Sequence, residues 1–163
     1  MSRIVRAIYP GTFDPVTNGH LEIIERGCRL FDRVTVAISQ NRDKEPLFSV
    51  DERMALLSAV TTRWHNVDVD SFKGLLVDYA VTRGASAIIR GIRAISDFDY
   101  EFQMALMNRR LENRLETVFL VPAEEYTYLS SSLVKEVFSL GGSVRGLVPA
   151  EVERSLLDKL GRA

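Results

Sequence analysis

Apolar and polar positions along the chain fall into two recurring patterns. Short apolar runs, mostly rich in β-branched residues and bounded by turns or polar residues, occupy 4–9, 34–39, 67–72, 87–90 and 117–121. Runs of this length and flanking predict strands. Between them, helical patterns cover 19–30, 50–61, 75–83 and 97–112, and two more, 131–140 and 149–160, follow the last strand. Ser49 and Glu52 have the spacing of a capping box for the second helix. Ser130 or Ser131 suits the N-cap of the fifth, and Pro149 suits the first turn of the last. No repeat, low-complexity segment or linker interrupts the series, so residues 1–163 read as a single domain.

Five strands alternating with helices predict right-handed βαβ units. The expected fold is α/β: a single Rossmann-like doubly wound domain with a five-stranded parallel sheet and a C-terminal helical segment. Sheets of this kind bind ligands outside the carboxyl ends of their strands. The segments after the strands, 10–20, 40–48, 72–76, 90–97 and 122–132, should therefore converge on one site. The unusual residues of the chain fall in those segments: His20, Lys44, Arg90, Arg93 and the run Ser130, Ser131, Ser132.

Composition narrows the class of function. The chain has 163 residues, 46% of them hydrophobic, enough for one sizeable core. A formal net charge of -1 supplies no global basic field for nucleic acid or an anionic membrane surface. No apolar run approaches the roughly 18 residues of a membrane span. Cys28 is the single cysteine, so no intrachain disulfide can form, and the start has no signal-peptide apolar region. A cytoplasmic protein is the expectation.

Each candidate segment has a plain reading beside a chemical one. Gly11 allows close backbone approach to a ligand, and the Thr12 hydroxyl can donate to a phosphate. Helix entry at Asn18, Gly19 and His20 makes a half-positive N-terminus, with the imidazole beside it. The plain alternative is two tight turns and a surface histidine. Arg90 and Arg93 suit phosphate oxygens, which the guanidinium fork binds bidentately, or are solvated. Asp97, Asp99 and Glu101 are salt-bridge partners, a ribose hydroxyl acceptor, or an acidic first turn. The serine run is a second phosphate cradle or an ordinary cap. Lys44, in a polar loop, reads as solvated unless a ligand recruits it. Cys28 reads as core and His65 as surface. No His/Cys cluster suits a transition metal, and no Ser-His-Asp or Cys-His order stands out.

The helix at 97–112 carries two apolar arcs. Phe98, Phe102, Ala105 and Leu106 form one; Tyr100, Met104, Met107 and Leu111 form another on nearly the opposite side. Two arcs predict one face packed on the sheet and the other on a second subunit.

Three stretches, TFDPVTNGH (12–20), RGIRAISDFDYEFQMALMNR (90–109) and SSSLVKE (130–136), closely resemble the motifs of bacterial phosphopantetheine adenylyltransferases. The likeness runs over nearly the whole chain, in order. It implies adenylyl transfer from ATP to 4′-phosphopantetheine, giving 3′-dephospho-coenzyme A and pyrophosphate, with Mg²⁺ carried mainly by the ATP phosphates. It further implies that Thr12 and His20 meet the α-phosphate with Phe13 near the nucleotide. Lys44 and Arg90, with Thr12 and Leu76, would hold phosphopantetheine. Gly91, Ile92, Arg93, Glu101, Tyr126, Thr127, Tyr128, Leu129 and Ser130 to Ser132 would bind ATP. Thr12, His20, Lys44 and Arg93 are the implied catalytic set. The family often forms hexamers, and coenzyme A is a candidate feedback ligand. Thr17 stands where the wider superfamily has its first motif histidine, and Tyr126 stands where relatives often have Trp. A nucleotidyltransferase for nicotinamide mononucleotide or glycerol phosphate would carry a Ser-Thr second motif, absent here. A nucleotide-binding regulator would not need the whole cationic set.

Overall fold

The computed structural model describes residues 4–40 and 45–161. Five strands, β1 (Arg6–Gly11), β2 (Arg33–Ser39), β3 (Val67–Phe72), β4 (Ala87–Gly91) and β5 (Glu116–Leu120), form one sheet in the order β3-β2-β1-β4-β5. Every pairing is parallel. Helices α1 (Asn18–Leu30), α2 (Val50–Val60), α3 (Leu76–Thr82) and α4 (Ile95–Leu111) connect successive strands. Helices α5 (Ser131–Ser139) and α6 (Ala150–Leu160) follow β5. The expected five-stranded, doubly wound α/β architecture is what the chain adopts, with boundaries shifted by at most two residues.

The strand sequences report their places in the sheet. Central β1, β2 and β4 are buried on both faces and read as nearly continuous apolar runs. Edge strand β3 keeps the alternation Val67, Asp68, Val69, Asp70. Because side chains alternate between faces, neighbouring strand residues serve two cores. Ala7, Tyr9, Val36 and Ile89 pack in one cluster with Ile24 of α1, Leu57 of α2, Val134 of α5 and Leu156 of α6. Ile8, Ala37 and Ile88 face the other way, with Val77 and Ala80 of α3. Helix α1 lies so close to the sheet that a Cβ at Gly27 would come within 2.9 Å of Ile89 Cδ1. Gly27→Ala would overpack that contact by roughly 1–3 kcal/mol.

Helix starts follow the sequence signals. Ser49 and Glu52 form the expected capping box, and Ser130 caps α5 by accepting from the Leu133 N–H at 3.1 Å. Pro149 sits one position earlier than expected, at the N-cap of α6. Gly161 closes that helix in the left-handed region at φ 67°.

Helix α4 departs from expectation. Neither apolar arc is buried; the one buried residue of the helix is Glu101. Phe98 and Phe102 stack on each other at 5.6 Å, and Phe98 leans on Phe119 of β5 at 6.3 Å, yet both rings stay more than 40% exposed. The helix lies against an edge strand and is fastened to the sheet by ion pairs, Arg90 with Glu101 and Arg109 with Glu116. The predicted sheet-packed face is therefore only a lean.

Candidate active site

In this strand order the connections reverse direction between β1 and β4, where a crevice opens beyond the carboxyl ends of the strands. A cavity of about 900 Å³ occupies that position. Its walls bring together Thr12, Phe13 and His20 after β1, Arg90, Gly91 and Arg93 after β4, Glu101 of α4, and Tyr126, Leu129, Ser130, Ser131 and Ser132 around the start of α5. The volume is near the upper end for small-molecule sites.

His20 is held by the helix it opens. Thr17 is the N-cap of α1, and His20, three residues on, takes the place usually filled by Glu or Gln in a capping box. The Thr17 backbone N–H donates to His20 Nδ1 at 3.0 Å, and the Thr17 hydroxyl accepts from the His20 N–H at 3.3 Å. A backbone N–H can only donate, so Nδ1 is the bare nitrogen and Nε2 carries the proton. Burial, with the nearby Arg93 charge, lowers the imidazole pKa to about 4. At neutral pH the ring is a neutral donor whose Nε2–H is left for the cavity.

The loop ahead of α1 is shaped by Phe13. Its backbone adopts φ 49°, a left-handed conformation costly for a bulky residue. The turn buries the ring against Tyr9 at 5.3 Å and His20 at 4.9 Å. A Cβ at Gly11 would meet the Phe13 ring at 3.0 Å. Glycine there makes room for this ring, a reason the sequence does not announce. With Phe13 buried, what it offers a ligand is its main chain. Thr12 stays exposed at the cavity, its carbonyl taken by Arg53 Nη1 at 2.8 Å.

Arg90 and Arg93 are each tethered. Glu101 accepts from Arg90 Nε at 2.7 Å and Nη2 at 2.6 Å, while Arg90 Nη1 donates to the Pro10 carbonyl at 3.2 Å. Burial alone would lower the pKa of Arg90; the Glu101 hydrogen bonds and charge outweigh it and hold it above the ordinary value. Of the readings open for the acidic run, Glu101 takes the salt bridge and Asp97 pairs with Arg93 at 3.4 Å. Arg93 Nη1 also donates to the Leu129 carbonyl at 2.9 Å, tying β4 to the loop before α5.

The three serines divide their work. Ser130 caps α5, Ser131 Oγ donates to the Pro15 carbonyl at 2.7 Å, and the exposed Ser132 hydroxyl is engaged by no described residue. Asp14, which the sequence did not flag, is buried. It accepts from the N–H groups of Leu47 and Phe48, both at 2.9 Å, and from Lys135 Nζ at 2.8 Å. Among the described residues no group of three or more His, Cys, Asp or Glu is placed to hold a metal.

Four predicted residues do not line this cavity. Leu76 packs beside the second core cluster. The Ile92 N–H donates to the Leu120 carbonyl at 3.0 Å. Thr127 donates its hydroxyl to the Glu124 carbonyl, and Tyr128 is 61% exposed. Lys44 lies outside the described residues. Arg53, Asp14 and Lys135 are among the cavity residues that sequence reasoning missed, as are Tyr9, Gln40 and Lys73. Arg53 did leave a signal, a charge at helical spacing with Leu56, Leu57 and Val60 on the buried side of α2.

The cytidylyltransferase-like family model matches residues 8–137. A phosphopantetheine adenylyltransferase from Moorella thermoacetica is 56% identical over 155 residues, 95% of this chain and 97% of its own. One from Anaeromyxobacter sp. strain K is 55% identical over 156 residues, 96% of this chain and 95% of its own. In fold, the chain matches a Vibrio parahaemolyticus protein provisionally named a nicotinate-nucleotide adenylyltransferase. That match has a TM-score of 0.74, covers 98% of this chain and 96% of the other, and shares 18% identity.

Proposed function

The chain belongs to the phosphopantetheine adenylyltransferase family, within the cytidylyltransferase-like nucleotidyltransferases, and from that premise we propose how its cavity carries out the reaction. A phosphate oxygen of 4′-phosphopantetheine attacks the α-phosphorus of ATP in line. The new P–O bond forms as the bond to the β-phosphate bridging oxygen breaks, giving 3′-dephospho-coenzyme A and pyrophosphate. This is a step of coenzyme A synthesis.

The observation that supports this reading most is the locked, neutral His20. Its Nε2–H is a preorganised donor for an α-phosphate oxygen as charge develops there, and no proton need change hands. Thr12 contributes a hydroxyl to the same phosphoryl group. Arg90, held bidentately by Glu101, receives the phosphate of phosphopantetheine together with Lys44. Arg93 and the first turns of α1 and α5 draw the β- and γ-phosphates. Catalysis is then positioning and electrostatic stabilisation.

Mg²⁺ suits this site as an ion brought in on ATP. Of the four cavity carboxylates, Asp14, Asp97 and Glu101 are each committed to a cation of the protein, and Glu45 alone has no ion pair with a described residue. The ion would rest on phosphate oxygens and water, and would supply neutralisation of the leaving pyrophosphate. Coenzyme A, sharing the product skeleton, is proposed to compete for the same cavity. The exposed arcs of α4 are proposed to pack between subunits of a hexamer. No helix among the described residues is long and apolar enough to cross a membrane; a cytoplasmic location is proposed from the lone cysteine.

The test of direct transfer is isotope exchange. With labelled pyrophosphate, ATP exchange should appear only when dephospho-coenzyme A or phosphopantetheine is present. Exchange without any acceptor would mean an adenylyl-enzyme and contradict the in-line step.

A further inference from the structure

Arg53 occupies an unusual place for a charged side chain. It is 4% exposed, in the first turns of α2, and lines the cavity. Its guanidinium donates to three carbonyls: Nε to Phe48 at 3.0 Å and Ser49 at 3.3 Å, and Nη1 to Thr12 at 2.8 Å. It forms no ion pair with any described residue, whereas Arg90, Arg93 and Lys135 each have an acid partner. Burial pulls its pKa down, with the Asp14 charge opposing. A lone buried guanidinium is expensive, and a residue kept only to fill space on this apolar helix face would be Leu or Met.

We propose that Arg53 is a positioning residue of the adenylyl-transfer site, fixing Thr12 through its carbonyl and leaving at the cavity wall a positive charge with no direct ion-pair partner among the described residues. The reading rests on the reaction proposed above. Thr12 stands at the hinge between β1 and the left-handed turn of Phe13, and its hydroxyl is engaged by no described residue. Without a tether on its carbonyl, the Thr12 peptide plane can rotate and carry the hydroxyl off the phosphoryl group. The guanidinium fork reaches carbonyls on both segments at once, tying the end of β1 to the start of α2. A lysine carries all three of its donors on a single nitrogen and lacks the planar fork that spans the two segments.

The test uses full-length Arg53→Lys and Arg53→Met, each alone and combined with Thr12→Ala, assayed for dephospho-coenzyme A formation beside the wild-type protein. Arg53→Lys keeps the charge and the apolar stem, so it carries the test should Arg53→Met fail to fold. The expected kcat falls on the order of 10–10²-fold, the range for a small misplacement, with the KM of each substrate moving less. In the Thr12→Ala background the loss from Arg53→Lys should largely disappear, because residues acting as a unit are not additive. Wild-type kcat in a folded Arg53→Lys protein overturns the proposal. So does full additivity with Thr12→Ala, the mark of a residue that only supports the fold. A wild-type protein inactive with phosphopantetheine removes the reaction reading, and this proposal with it.

Discussion

His20→Gln separates two roles that His20→Ala would confound. In the structure His20 accepts the Thr17 N–H through Nδ1 and leaves Nε2–H for the cavity. Glutamine is a normal partner in a capping box, so it can keep the N-terminal closure of α1 while removing the imidazole donor. Loss of one preorganised donor at a developing oxyanion costs roughly 2.7–4 kcal/mol of transition-state stabilisation, or 10²–10³-fold in kcat. The cap itself is worth about 1 kcal/mol, which for a chain of this size shifts Tm by roughly 2–4 °C. His20→Gln should therefore lose 10²–10³-fold in kcat at near wild-type Tm, whereas His20→Ala should lose both. The assay is pyrophosphate release at saturating substrates, paired with calorimetry. Because the folded pKa, about 4, lies below the ordinary 6.5, His20 stays neutral in the free protein throughout the neutral range. The stability linked to its neutral form is complete above pH 6.5 and is lost as pH falls through 4. A His20→Gln protein with kcat within threefold of wild type would refute the donor role, and an NMR titration of the His20 ring centred near 6.5 would refute the neutral imidazole.

Removing Asp14 should loosen the floor of the site: Asp14→Ala strands the N–H groups of Leu47 and Phe48, roughly 1–3 kcal/mol each. A urea midpoint unchanged from wild type would count against that clamp. Lys44→Ala should raise the KM for phosphopantetheine by about 10–10²-fold, the worth of one charge-assisted contact, with less effect on ATP; a shift confined to ATP would reverse the assigned phosphates. Replacing Leu106 and Met107, half-exposed on opposite arcs of α4, by Glu should convert the proposed hexamer to smaller species in sedimentation. An unchanged boundary would place the interface elsewhere.

Much of the fold was legible because the sheet writes its topology into the strands. The continuous apolar run of β1 and the Asp68 and Asp70 alternation of β3 fit their central and edge places, although no strand order was read from them. The converging loops were legible from the carboxyl-end rule, whereas the capping box between Thr17 and His20 emerged only with the structure, because an imidazole stands where Glu or Gln is usual. Other features were hidden because they depend on distant partners. Asp14 meets Lys135 across the fold, and Gly11 is required by the ring of Phe13 folding back. The arcs of α4 misled for a related reason: periodicity shows that a face is apolar, not whether a sheet is wide enough to cover it. The motif also could not show that Glu101 is spent on Arg90, or that each serine after Leu129 has a different job.

The central claim is the acceptor. Purified protein with ATP and Mg²⁺ should be offered 4′-phosphopantetheine or nicotinamide mononucleotide in parallel, with pyrophosphate release followed. Release with phosphopantetheine alone is the expected result. Release with nicotinamide mononucleotide alone would preserve the fold and the in-line chemistry and contradict the substrate assigned to this cavity.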